Sequence, residues 1–194
     1  QVKLAHHCQP QLASLERFQL SYSSCGLCGT TSLKSLELKN PPQLSQQKAW
    51  LTNSAIYQMP AKMRANQGIF QITGGVHAAA LFDHQGNLVT IKEDIGRHNA
   101  LDKLIGSLLE AKQPPPDLSA LVISSRVSFE IVQKAVMAGV SVLIAIGAPT
   151  ELAINAAKRF NLTLIGFASE QSFNLYHGHW RIADLPEEIS CQRT

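Results

Sequence analysis

The chain has 194 residues, 45% of them hydrophobic and only 16% charged, so it can bury one sizeable core and reads as a single domain over 1–194. A net charge of +3 argues against nucleic acid as a partner, and there is no apolar run long enough to cross a bilayer and no apolar signal core within the polar residues 1–20. Four cysteines are too sparse for a secreted disulfide framework, which makes the cytoplasm the expected compartment, and the shortage of charge points to a surface covered by a partner or a second copy. The mild positive balance suits an anionic small ligand. Gln1 stands where a Met would begin a chain, which suggests a processed or truncated boundary.

In chain order, residues 1–20 read as irregular with a short helical pattern near 12–18. A flexible loop follows around 21–32, carrying Cys25-Gly26-Leu27-Cys28-Gly29. Pro41-Pro42 is a break. Apolar residues at helical spacing (Ala49, Ile56, Met59, Met63) predict a helix over 45–66, kinked at Pro60. Gly74-Gly75 is a hinge. Residues 76–82 and 88–91 read as strands joined by a turn at 83–87, and 99–112 as an amphipathic helix stopped by Pro114-Pro115-Pro116.

The second half alternates regularly. Residues 120–123, 140–146 and 162–167 predict buried strands, with helices over 129–138 and 151–160 between them. The pattern predicts an α/β fold with a mixed, mostly parallel sheet and flanking helices. Ligands in such folds meet the carboxyl ends of strands, where helix N-termini offer unpaired N–H groups to anions. Three junctions qualify: Ser124-Ser125-Arg126, Gly147-Ala148-Pro149-Thr150, and Phe167-Ala168-Ser169-Glu170-Gln171-Ser172. Each alone reads more readily as an ordinary helix cap; the three together favour a cleft on one edge for an anion or nucleotide.

Three kinds of chemistry fit the cysteine pair: redox cycling, half of a zinc site, or sulfur carriage as a persulfide. For zinc, the remaining ligands would be Cys8 with His6 and His7, or Cys191, at no standard spacing. For thioredoxin-like chemistry the pair would open a helix in a βαβ unit, whereas it sits here among serines and glycines. A loose loop suits a carrier thiol that reaches a donor and then a recipient. The second polar cluster is Glu93-Asp94-Ile95-Gly96-Arg97-His98-Asn99, between a strand and a helix. Arg97 and His98 suit phosphate or a polar heterocycle, Asp94 a helix cap or a partner for the arginine, and Glu93 a local ion pair. His77 is either a cleft group or a satisfied core histidine, while His177 and His179 read as surface residues.

Taken together, SSCGLCG at 23–29, GVHAAAL at 75–81, EDIGRHNALDK at 93–103 and SSRVSFEIVQK at 124–134 resemble the FdhD/NarQ family. So do 139–140, 161–167 and 173–176, in order and at compatible spacing over about 15–180. The resemblance implies a sulfurtransferase, a sulfur carrier needed for formate dehydrogenase. It would take persulfide sulfur from a cysteine desulfurase and pass it to the molybdenum cofactor, bis-molybdopterin guanine dinucleotide. It also implies a cytidine-deaminase-like fold, a homodimer, the persulfide on Cys25 with Cys28 as its partner, and the cofactor at 167–172. His77, Arg97, His98, Ser125 and Arg126 join that set of cofactor-binding candidates. Family members carry a basic residue and glycines in the last loop, where this chain has Ser169-Glu170-Gln171-Ser172. A carboxylate in place of a cation weakens an anion site unless Arg126, Arg97 or Lys103 compensates. The family also has a longer segment before the cysteine loop than the 24 residues here. Deaminase activity is set aside, because His77-Ala78-Ala79 lacks the glutamate and no Pro-Cys-x-x-Cys follows. A cofactor-binding chaperone that moves no sulfur stays open beside the carrier, as does a Cys-x-x-Cys redox or zinc module.

Overall fold

The computed structural model describes residues 41–112, 115–116 and 118–185. The helical pattern near 12–18, the loop bearing Cys25 and Cys28, and Cys8 and Cys191 lie outside those residues. Helix α1 (Asn53–Ala65) starts eight residues later than its periodicity predicts. Thr52 explains the start: its hydroxyl accepts the Ala55 N–H at 3.2 Å and satisfies one of the first-turn donors. The preceding stretch is held elsewhere, by a parallel bridge between Leu51 and Ile182 and by Leu44 buried in the core. Pro60 lies inside α1, with Met59 and Met63 on the same buried stripe.

A short helix, α2 (Gly68–Thr73), follows that the sequence pattern did not predict, and Gly74 ends it in the left-handed conformation at φ 66°. Strands β1 (His77–Asp83) and β2 (Leu88–Asp94) form the expected hairpin, with Asp83 accepting from the backbone of Gln85 and Asn87 in the turn. Then come α3 (Arg97–Glu110), β3 (Ser119–Ile123), α4 (Phe129–Met137), β4 (Val142–Ala145), α5 (Glu151–Arg159) and β5 (Thr163–Gly166). These match the predicted alternation within a few residues at each end. A last strand, β6 (Asn174–His177), was not anticipated.

The sheet runs β2-β1-β3-β4-β5-β6. Pairs β3–β4 and β4–β5 are parallel, and the other three antiparallel, so four of the six strands point the same way. Period-two alternation divides the core. Ala78, Ala80 and Phe82 join Val122, Ile144 and Ile165 under α1, while Ala79, Leu81, Leu121 and Leu143 face α3, α4 and α5. Both crossover helices of the β3-α4-β4-α5-β5 run therefore pack on one face.

Beyond β6, Arg181 is fully buried; its Nε donates to the Ser45 carbonyl at 3.1 Å and its Nη1 to Thr163 Oγ1 at 3.0 Å. Burial draws its pKa down to about 10, so it stays charged at neutral pH. Gly178, at φ 86°, lets the Thr163 hydroxyl reach its carbonyl at 2.9 Å; a Cβ there would lie 2.1 Å from that hydroxyl. His177, expected at the surface, is half-buried and packs edge-on to Trp180 at 5.1 Å.

Candidate functional site

The three predicted junctions do open on one edge, and lateral backbone hydrogen bonds stitch them together. Gly147 N–H donates to the Ser125 carbonyl at 3.2 Å, Val127 N–H to the Ala148 carbonyl at 3.0 Å, and Phe167 N–H to the Gly147 carbonyl at 3.3 Å. Because β1 is antiparallel to β3, its first residue, His77, arrives at the same edge. There the Ala78 N–H donates to Ser124 Oγ at 2.9 Å, and His77 Nδ1 lies 3.3 Å from that oxygen. Phe167 takes a left-handed φ of 53° and is half exposed, an unusual conformation for an aromatic residue of the kind that gathers at functional edges.

Three adjoining clefts line this edge beneath α1. The first, about 400 Å³, is bordered by Arg64, Gln67, Phe70, His77, Ser124 and Ile146. The second, about 510 Å³, shares Arg64 and Ile146 and adds Ala61, Ala168, Ser169 and Glu170. The third, about 260 Å³, continues past Ala61 and Glu170 to Tyr57 and Lys62. Shared walls make them one groove. A larger cleft of about 570 Å³ lies on the opposite sheet face, between the ends of α3 and α4, among Ile105, Leu108, Leu109 and Met137. It holds none of the predicted site residues.

Charges around the groove are ordered by short contacts. The Glu93 carboxylate accepts the Ile69 and Phe70 N–H groups, both at 2.9 Å, and so caps α2 rather than forming an ion pair with a ligand or neighbour. Asp94 holds Lys103 at 2.5 Å and accepts from Gly96 N–H and Asn99; Lys103, the Gly96 N–H and Asn99, in that order, lower its pKa to about 2. Lys103 is thus engaged away from the 167–172 loop. Burial, then the Arg97 charge, lowers the pKa of His77, which favours neutral imidazole. His98 points elsewhere: its Nε2 is 3.5 Å from Glu130 on α4, and burial followed by Arg97 and Lys134 outweighs Asp102 in lowering its pKa. Ser125 is buried and donates to the Arg126 carbonyl at 3.0 Å, while the Arg126 side chain is exposed at the edge. In the last loop Ala168 is buried, Gln171 and Ser172 are exposed, and Ser169 Oγ donates to the Ser172 carbonyl while accepting the Ser172 N–H. Among the described residues no cluster of three or more His, Cys, Asp or Glu could hold a metal, and no helix is long and apolar enough to cross a membrane.

A model of the FdhD/NarQ family matches residues 1–183. The chain belongs to that family. It is 45% identical over 171 residues to a protein of Streptomyces coelicolor named sulfur carrier protein FdhD, covering 88% of this chain and 61% of that protein. A namesake in Sulfolobus acidocaldarius is 46% identical over 79% of this chain and 58% of its own length. The chain thus spans about three fifths of the length of these relatives. A crystal structure of a candidate formate dehydrogenase accessory protein from Desulfotalea psychrophila superposes with a TM-score of 0.67 at 26% identity, over 75% of this chain and 61% of that one.

Four stretches that carry the FdhD/NarQ resemblance, 75–81, 93–103, 124–134 and 161–167, converge on this edge through β1, the start of α3, and the ends of β3 and β5. Of the predicted binding residues, His77, Ala168, Ser169 and Glu170 line the groove, Phe167, Ser125 and Arg126 belong to the strand-end junctions beside it without lining it, and His98 faces α4. Sequence reasoning missed the wall supplied by α1. The signal was present: Tyr57, Ala61 and Arg64 recur at helical spacing opposite the stripe of Ile56, Met59 and Met63. Gln67 and Phe70 were missed because α2 is only six residues long.

Proposed function

We propose that this chain is a sulfur carrier, a sulfurtransferase that moves persulfide sulfur from a cysteine desulfurase to the molybdenum cofactor used by formate dehydrogenase. The observation that carries this reading is 45% identity across 88% of the chain to a protein named sulfur carrier protein FdhD, together with the Cys25-Gly26-Leu27-Cys28-Gly29 loop. The groove supports it. A strand-end edge with helix N-termini and cations (Arg64, Arg126) suits a ligand with several phosphates, and Glu170 limits how much negative charge the far end accepts. The reading includes a cytoplasmic homodimer and bis-molybdopterin guanine dinucleotide as the cargo.

The chemistry needs both cysteines. The Cys25 thiolate attacks the outer sulfur of the desulfurase persulfide; a Cys25 Sγ–S bond forms, and the desulfurase cysteine leaves as thiolate. To replace an oxo ligand on the metal, that outer sulfur must gain two electrons and become sulfide. Cys28 supplies them by closing a Cys25–Cys28 disulfide, and the oxo leaves as water with the two thiol-derived protons. A dithiol reductant then reopens the pair.

Intact-protein mass spectrometry after incubation with a cysteine desulfurase and cysteine tests this. One reductant-labile sulfur is expected on the wild-type chain and on Cys28→Ala, and none on Cys25→Ala. Cys28→Ala is expected to load sulfur yet fail to activate formate dehydrogenase. Full activation by both variants would exclude the carrier mechanism and leave the groove to a cofactor chaperone.

A further inference from the structure

We infer that Ile69 and Ile72 on α2, with Ile95 just before α3, form a docking surface for an apolar, carboxylate-rimmed patch on the enzyme that receives the groove's cargo. This rests on the sulfur-carrier reading and adds to it where the receiving protein sits.

None of the six residues of α2 is buried. Ile69 is 49% exposed, and Ile72, three positions on and so on the same helix face, is 87% exposed. Ile95, 80% exposed, stands two residues after Glu93, whose carboxylate accepts the Ile69 and Phe70 N–H groups at 2.9 Å. One anchor thus gathers all three side chains at one corner of the edge. Isoleucine belongs to interiors, and so short a helix gains little stability of its own. An apolar helix held on the surface by a carboxylate has no partner within the fold, and a contiguous patch of this kind marks an interaction site.

Charge identifies the occupant. The two carboxylates beside the patch are used internally, Glu93 on α2 and Asp94 on Lys103. The cations are not. Arg64, exposed and lying 3.7 Å over the Phe70 ring of α2, pairs with no carboxylate among the described residues, and neither does Arg126, exposed at the neighbouring junction. Isoleucines flanked by uncompensated positive charge are complemented by an apolar surface that carries carboxylates. A second copy is a poor complement, because the chain is net positive and a two-fold contact through so small a patch sets Arg64 against Arg64. Ser45, near the start of the described chain, is held at the other end of the sheet by Arg181, which also bonds Thr163 at the start of β5. The patch adjoins the groove instead: Phe70, Gly74 and Gly75 border its first cleft, so a protein seated on α2 faces the opening. That position suits the recipient of the cargo, whereas a sulfur donor has only to reach the cysteine loop.

Biolayer interferometry of the full chain against formate dehydrogenase prepared without its molybdenum cofactor tests this, using wild type, Ile72→Asp, Ile95→Asp and, from the cleft on the opposite sheet face, Leu109→Asp. Wild type is expected to bind, and less tightly as salt rises. Ile72→Asp and Ile95→Asp should each weaken binding by about tenfold or more, with melting temperature and sulfur loading by a cysteine desulfurase unchanged. Leu109→Asp should bind as wild type does. Undiminished binding by both isoleucine variants overturns the inference. So does a marked fall in their melting temperature, which would mean that the chain itself covers the patch, or a change in their sedimenting mass, which would assign it to a second copy. Wild type that loads sulfur but does not bind the dehydrogenase overturns this docking surface alone; wild type that loads no sulfur overturns the carrier reading and this inference with it.

Discussion

Gly147→Ala tests the stitched strand edge directly. A Cβ at Gly147 would stand 2.8 Å from Arg126 N and 2.9 Å from Arg126 Cα and Ser125 C, all backbone atoms with no rotamer to escape into. Restoring an ordinary contact of about 3.4 Å requires the β4 end and the Ser125–Arg126 turn to part by about 0.5 Å. That separation stretches the Gly147 to Ser125 hydrogen bond, already 3.2 Å, beyond useful length and strains Val127 to Ala148 at 3.0 Å. Overpacking costs about 1–3 kcal/mol and two weakened bonds about 1 kcal/mol each, while the stiffer unfolded chain returns about 0.4–1 kcal/mol. The net loss is about 2–4 kcal/mol, a fall in melting temperature of about 5–15 °C for a chain of this size. Urea unfolding followed by circular dichroism measures it. Gly106→Ala is the control: this exposed glycine inside α3 has nothing within 4 Å of its Cβ position, and alanine should stabilise the helix by about 0.5–1 kcal/mol. A Gly147→Ala variant within about 0.5 kcal/mol of wild type would refute the close approach of the two turns.

Phe82 is fully buried between the sheet and α1, so Phe82→Ala should cost about 3–5 kcal/mol and lower the urea midpoint without changing the slope; a cost under about 1 kcal/mol would mean that α1 does not seal that face. Acid should weaken the fold in two stages. His77, His98 and His177 all titrate below 6.5 when folded, chiefly through burial, so the unfolded chain takes their protons first and stability falls as pH drops below about 6.5. Asp94, held near 2 by Lys103 and the Gly96 N–H, contributes stability present above about 4 and lost as pH falls toward 2. Urea titrations at pH 7.5, 5.5 and 3.5 should give successively lower midpoints, and a higher midpoint at pH 5.5 than at 7.5 would contradict the histidine assignment.

The second half of the fold was legible because its strands are fully buried and its helices carry one strong apolar stripe each, so length and period agree. Val142, Leu143, Ile144 and Ala145 are all buried, which leaves a strand as the economical reading between two helices. The edge on which the junctions open followed from the parallel run alone. What escaped was set by distant partners. The start of α1 depends on Thr52 and on pairing of Leu51 with Ile182, some 130 residues away; β6 is four residues long and exists through its pairing with β5. His98 read as a site residue from its neighbours in sequence, yet one position along a helix turns a side chain by about 100°, which sends it to Glu130 instead of the groove. Cys25 and Cys28, the residues most telling in the sequence, lie outside the described structure.

The mixed sheet is what makes the groove possible. In a wholly parallel sheet His77 would begin β1 at the end opposite the junctions; antiparallel pairing with β3 brings it beside Ser124. The same inversion means that the chain before β1, which is α2 and the end of α1, must also lie at that edge. Arg64, Gln67 and Phe70 therefore reach the groove as a consequence of the direction of one strand, before any requirement of chemistry. Glu93 then fixes α2 from β2, on the other side of β1, so the position of the amide at Gln67 is determined by two strands and a carboxylate. On the sulfur-carrier proposal, binding in this groove and sulfur loading on Cys25 are separable, so Cys25→Ala should lose sulfur loading while keeping the groove's ligand affinity, which mass spectrometry beside calorimetry would show.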